Sequence, residues 1–163
     1  VAGATTDWSI ADDGAFMAPL RLSYPYSRTV GPTMTRFLSG LAQRRIEGTR
    51  GGDGRVHVPP LEFDPDTGDP LTEWVAVGDA GVVETWCWQA EPLADQPLER
   101  PFAWALVRLD GADTAMLHAV AVTSAALMAS GMRVRARWSV EPLAAITGLA
   151  CFEPDEPTAN GGV

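Results

Sequence analysis

The sequence predicts a mainly β protein: a small barrel preceded by one helix and a short ribbon rich in glycine and proline. Three observations carry that reading. Apolar residues recur at helical spacing most clearly in residues 33–46, TMTRFLSGLAQRRI. From Glu73 onward the period changes to two and persists through several segments bounded by turn residues. Between the two lies GTRGGDGRVHVPPLEFDPDTG, residues 48–68, which has the turn chemistry of a small metal-binding ribbon and none of its thiolates.

The chain divides into an arm or linker (1–21), a helix plus ribbon (22–72), a barrel (73–154) and an acidic, glycine-ended tail read as disordered (155–163). The arm shows no sustained period, and its Trp8, Phe16 and Met17 are anchors either for a partner or for the chain's own barrel. Residues 22–30, LSYPYSRTV, are extended around Pro25. In 33–46, Thr33 is the expected cap, and Met34, Phe37, Leu38, Leu41 and Ile46 form the apolar stripe. Arg36, Arg44 and Arg45 lie mostly off that stripe, the last two favouring the C-terminal dipole, and Gly48 is expected to end the helix. A helix outside a small barrel has to cover a barrel end or another subunit.

In the ribbon, Gly51, Gly52 and Gly54 allow a first tight turn, residues 55–58 a short strand, and Pro59-Pro60 a stop. Residues 64–68, DPDTG, make a second turn. A zinc ribbon presents a C-x-x-C pair from each of two such knuckles. Here the four positions read Arg50, Asp53, Asp64 and Thr67. Arginine does not ligate zinc, and two carboxylates with a hydroxyl are a poor cage for it. The expectation is a degenerate ribbon that keeps its shape without metal.

This pattern resembles the rubredoxin-like ribbon at the head of the acyl-CoA-associated OB-fold family, small proteins and domains that partner thiolase-like enzymes. In that family a helix precedes the ribbon and a small barrel follows. The second half resembles the family's barrel in order: EWVAVGDAGVVETWCW, PFAWALVRLDGAD and GMRVRARW. The resemblance spans roughly residues 24–154, and the ribbon cysteines are missing from it.

The residues themselves support a barrel. Residues 74–78 form a short strand and 79–81 a turn. In 82–90, Val83, Thr85 and Cys87 alternate with Glu84, Trp86 and Trp88, so both faces carry bulk and both are expected to be covered. Residues 91–101 hold three prolines and read as a loop, and 102–122 as a hairpin turning at 111–113. Residues 123–130 make one short helical turn. The next strand, MRVRARWSV, sends Met132, Val134, Ala136, Trp138 and Val140 one way and Arg133, Arg135, Arg137 and Ser139 the other. A last strand lies around 147–152. Five or so strands with one helical insertion match an OB-fold most simply.

Composition narrows the function. At 163 residues and 46% hydrophobic content the chain is globular in type. A formal net charge of −9 opposes non-specific nucleic-acid binding. All twelve basic residues are arginine, which excludes a Schiff-base lysine and suggests a GC-rich coding sequence in the style of actinobacteria. Cys87 and Cys151 read as two buried free thiols. No run reaches the roughly 20 apolar residues of a membrane span, the first residues lack signal-peptide character, and a cytoplasmic location is expected. The start at Val1 without methionine reads as processing or as excision from a longer protein, such as a hydratase fusion.

No nucleophile–base–acid set is present, so no catalytic residue is assigned. His57 and His118 read as structural. A metal set of His57, Asp53 and Asp64 matches no common spacing. Arg133, Arg135 and Arg137, about 7 Å apart on one strand face, suit the phosphates of coenzyme A, or else pair with the chain's own carboxylates. Trp86 and Trp88 either stack a base or form a packed layer.

The family resemblance implies a non-catalytic accessory subunit or domain in a hetero-oligomer with a thiolase-like aldolase. Its role is to support carbon–carbon cleavage of acyl-CoA thioesters, foremost retro-aldol cleavage in bacterial steroid side-chain degradation. Coenzyme A then belongs to the substrate, possible contacts with it being Arg133, Arg135 and Arg137, and no cofactor is expected. Partner contacts fall to Trp8, Phe16, Arg36, Phe37, Leu41, Arg44 and Arg45. The alternatives are a thiolase partner in another acyl-CoA pathway, a nucleic-acid-binding OB module, and a free-standing enzyme using His57, Asp53 or Asp64.

Overall fold

A computed structural model describes residues 9–17, 27 and 29–155 of the chain. Trp8, most of 22–30 and the tail beyond 155 lie outside the described residues. The elements are β1 (Ser9–Ile10), β2 (Phe16–Met17), α1 (Gly31–Ala42), β3 (Ile46–Arg50), β4 (Val56–His57), β5 (Trp74–Val77), β6 (Ala80–Gln89), β7 (Phe102–Leu109), β8 (Ala115–Val120), β9 (Arg133–Trp138) and β10 (Leu149–Pro154). Single 3-10 turns at Ala125–Leu127 and Ile146–Gly148 precede β9 and β10.

Strands β6 to β10 close into a barrel in the order β10-β8-β7-β6-β9, with β9 returning to β10. Every pairing is antiparallel except β8 with β10. This closed five-stranded barrel, with a short helical turn between its third and fourth strands, is an OB-fold, as expected. Closure leaves it no free sheet edge.

The ribbon keeps its predicted shape, with one strand more than expected. β3 pairs with β4 on one side and β5 on the other. The strand expected over 74–78 in the barrel is β5, Trp74–Val77, and it belongs to the ribbon sheet instead. Alternation marks a strand but does not name its neighbour. The two sheets join where Gly78 donates its N–H to the Asp110 carbonyl at 2.8 Å.

Helix, ribbon and barrel share one core. Phe37 and Leu41 of α1, Ile46 of β3, and Val56 and Val58 pack into the same cluster as Val83, Val107, Val134 and Phe152. The helical stripe therefore faces as predicted, with Met34 and Leu38 half-buried beside it. Its ends differ. The N-cap is Val30 without a side-chain bond, and Pro32 stands in the first turn, where its missing N–H costs nothing. Thr33 lies inside the helix, and Thr35 donates its hydroxyl back to the Gly31 carbonyl at 2.6 Å. At the other end Arg44 takes the left-handed position at φ 56°, and the Arg45 N–H closes on the Gly40 carbonyl at 2.9 Å. Gly48 is in the middle of β3, not at the helix end.

A bulge decides the faces of β6. Val83 stands opposite Val107 and Thr85 opposite Leu106, so Glu84 is an extra residue. Beyond it the alternation is inverted: Trp86 and Trp88 pack against the core, while Cys87 is exposed. The expectation of two buried thiols holds for Cys151 and fails for Cys87 for this reason; both are free. In β9, Val134 is fully buried and Ala136 and Trp138 half-buried, as alternation requires. Val140, assigned to the same face, lies past the strand end and is 94% exposed.

Candidate partner and ligand surfaces

The ribbon knuckles come together around Asp64. The first turn is closed by the Gly51 N–H on the Arg55 carbonyl (2.8 Å) and the Gly54 N–H on the Gly51 carbonyl (3.0 Å). The second is closed by the Asp64 N–H on the Asp69 carbonyl (2.8 Å) and the Gly68 N–H on the Asp64 carbonyl (2.9 Å). The Asp64 carboxylate joins them: Oδ2 accepts the Gly52 N–H at 2.8 Å, and Oδ1 accepts those of Asp66 (2.9 Å) and Thr67 (3.1 Å). These three amides, Gly52 foremost, hold its carboxyl below the usual range.

The other three ligand positions are engaged in hydrogen bonds of their own. Arg50 donates to Glu73 and to the Gly54 carbonyl. Asp53 Oδ1 accepts the Arg55 N–H, and Thr67 Oγ1 accepts that of Asp69. This donor set does not fit a zinc ion. Among the described residues no group of three or more His, Cys, Asp or Glu side chains is arranged to hold a metal.

Barrel side chains fix the ribbon in place. Asp113 Oδ2 and Thr114 Oγ1, at the β7–β8 turn, accept the N–H groups of Val56 and Val58, both at 2.8 Å. Buried Thr49 exchanges hydrogen bonds with the Leu61 backbone at 2.9 and 3.0 Å.

The arginine row faces outward as alternation predicts, and each member is paired. Arg133 makes a bidentate contact with Asp110 (2.7 and 2.6 Å). Arg135 bridges Asp79 and Asp155, and Arg137 meets Glu153 at 3.1 Å. The reading in which the row pairs with the chain's own carboxylates describes the geometry found. Trp86 and Trp88 likewise form part of a packed layer.

Of the partner-contact candidates, Phe37 and Leu41 are 1% and 2% exposed. They belong to the chain's own core, which corrects the expectation that they meet another subunit; the helix covers its own barrel. Arg36 grips Glu47 through two bonds (3.1 and 2.9 Å) and lies 4.2 Å over the Trp74 ring, and Arg45 binds the same carboxylate at 2.5 Å. The Glu47 carboxyl is lowered mainly by Arg36. Arg44 is exposed. Phe16 stands 76% exposed on a two-stranded hairpin, β1 with β2, beside Ile10 and Met17. Asp13 and Gly14 (φ 84°) make its turn.

His118 is buried beside Phe152, and its Nδ1 accepts the Ala119 N–H at 2.9 Å. Burial pushes its pKa down. A small apolar cleft of about 220 Å³ opens next to it, walled by Trp104, Leu117 and Ile146. Beyond Pro97 lies a larger groove of about 830 Å³, between residues 97–101 and 121–123, with Arg137 and Glu153 on its floor. The sequence reading missed both, because the prolines of 91–101 marked only a loop and not what it walls.

Residues 74–139 match the family model described as ChsH2, C-terminal OB-fold domain. Among solved structures, a chain described as "Ltp2-ChsH2(DUF35) aldolase" is 19% identical and superposes with a TM-score of 0.58, covering 78% of this chain and 98% of that one. A DUF35-family protein of unknown function from Sulfolobus solfataricus is 20% identical at a TM-score of 0.56, covering 77% and 85% respectively. At these identities the likeness is one of fold. The curated proteins gave no match. The family match takes in β5 and the barrel strands β6 to β9, so the similarity to the ChsH2 C-terminal OB-fold domain lies in the barrel half of this chain.

Proposed function

We propose that this chain is an accessory OB-fold component that binds a thiolase-like enzyme and supports carbon–carbon cleavage of acyl-CoA thioesters. Retro-aldol cleavage in steroid side-chain degradation is the reaction we favour. The observation that carries this reading is the shared fold with the chain of the Ltp2-ChsH2(DUF35) aldolase, which extends over 98% of that chain. The chemistry of the side chains agrees with an accessory role. His118 is committed to a backbone amide, and His57 lies within the closed ribbon beside Asp64. The catalytic groups then reside in the partner, and no cofactor is required of this chain.

Exposed apolar side chains supply the contact. Ile10, Phe16 and Met17 project from the hairpin at 67%, 76% and 53% exposure, on a segment too small to bury them itself. Arg36 along the helix, and Arg44 and Arg45 just past its end, add charge nearby. Acyl-CoA is shared at the resulting interface.

Co-expression with thiolase-like proteins, size exclusion and an acyl-CoA cleavage assay test this. A complex with activity absent from either chain alone is the expected result. A chain that remains alone with every such partner would overturn it. Steroid and non-steroid acyl-CoA esters in the same assay separate the favoured pathway from another thiolase-dependent one.

A further inference from the structure

We propose that the Asp64 carboxylate takes the structural part that a metal ion plays in a ribbon of this shape, so that the two knuckles close on an anion and fold without metal. A zinc ion draws two turns together by accepting electron pairs from thiolates inside them. Here the polarity is reversed. The turns aim backbone N–H groups inward, and an acceptor stands between them. Asp64 reaches across to Gly52, twelve residues away in the other knuckle, while its second oxygen takes two amides of its own turn. Asp64 is only 7% exposed as a residue, and the three charge-assisted bonds compensate its burial.

The first knuckle is shaped for this contact. A Cβ at Gly51 would lie 2.9 Å from Asp53 Oδ1, 3.2 Å from His57 Nε2 and 3.4 Å from Asp64 Oδ2. Glycine there lets the backbone approach the cluster closely. Arg50, Asp53 and Thr67 hold hydrogen bonds within or beside their own turns, so no ligand position is left waiting for an ion. The inference rests on these bonds and is independent of any partner enzyme.

The test uses the full chain, purified without a polyhistidine tag. Metal content, thermal midpoint with and without EDTA or added zinc, and amide exchange at Gly52 are measured, with Asp64→Asn and Asp64→Ala as variants. The expected results are substoichiometric metal, a midpoint unmoved by EDTA or zinc, and Gly52 exchange at least about tenfold faster in Asp64→Asn. Amides in the barrel strands, such as those of Val107 and Ala119, should keep their wild-type rates. One zinc per chain, a midpoint lowered by EDTA, or wild-type Gly52 exchange in Asp64→Asn would each overturn the proposal. If Asp64→Ala does not fold, the asparagine variant and the metal measurements on the unaltered chain still decide.

Discussion

The backbone carbonyl of His57 stands where a Cβ on Gly48 would lie, with the side chains of Val58 and Val56 also in hard contact at 2.8 and 3.0 Å. β3 and β4 pack this closely only because position 48 has no side chain. Neither strand has room to retreat: Val56 and Val58 are tied to Asp113 and Thr114, and β5 holds the far edge of β3. Gly48→Ala should therefore cost about 2–3 kcal/mol as overpacking, roughly a 4–12 °C fall in thermal midpoint. Gly52→Ala is the control for added bulk in the ribbon, since its Cβ would meet nothing closer than 3.4 Å. A denaturation scan showing equal midpoints for the two variants would contradict this account of Gly48.

His118 predicts how stability depends on pH. Its imidazole is buried and neutral, with a pKa pushed below the ordinary 6.5 chiefly by desolvation. As pH falls below about 6.5 the unfolded chain takes up a proton that the folded chain refuses, so stability declines until the folded imidazole protonates. The slope should be at most about 1.4 kcal/mol per pH unit. The carboxyls of Glu47, Asp64 and Asp110 are lowered, so their contributions persist through this window and are lost only as pH falls further. Urea titrations between pH 5 and 7 should show the slope in wild type and a flatter line in His118→Asn.

What could be read in the sequence followed from period, and what could not followed from pairing. The apolar stripe of α1 and the outward arginines of β9 are properties of one segment, and 3.6- and two-residue spacing reveal them. Gly48 is ambiguous in sequence, because a helix stop and a close strand crossing both call for glycine. β5 alternates like a barrel strand, yet its neighbour is β3, a choice made by tertiary contacts. Nothing local marks Glu84 as a bulge, so the inward turn of Trp86 and Trp88 was hidden. The knuckles were legible as turns, but the Asp64–Gly52 bond spans twelve residues and lacks a motif. The arginines' partners, Asp79, Asp110, Glu153 and Asp155, come from segments that only the folded barrel brings together.

The hairpin and the helix predict opposite outcomes for two phenylalanines. Phe16 is exposed, so Phe16→Asp should leave the stability within about 0.5 kcal/mol of wild type while weakening capture of the thiolase-like partner. Phe37 fills the shared core, and Phe37→Ala should cost about 3–5 kcal/mol of stability. Pull-down and melting measured on both variants separate the roles. A Phe16→Asp chain that binds its partner normally would remove the hairpin from the interface.

The arginine row predicts behaviour toward polyanions. A strand face with three free guanidinium groups would bind phosphate backbones with an affinity falling steeply in salt. Here Arg133, Arg135 and Arg137 already meet carboxylates, in a chain of net charge −9. A polyanion would have to displace Asp110, Asp79, Asp155 and Glu153 while approaching a surface of its own sign. Filter binding with single-stranded DNA at about 0.15 M salt, where the screening length is near 8 Å, should show no saturable retention. Neutralising the carboxylates reverses the balance: Asp110→Asn with Asp79→Asn should raise retention at low salt and make it salt-dependent. The exposed pairs are individually weak, so these substitutions should cost no more than about 1 kcal/mol each. Tight, salt-sensitive binding by the unaltered chain would instead show that the row opens readily to a ligand, and would favour the nucleic-acid reading over the accessory one.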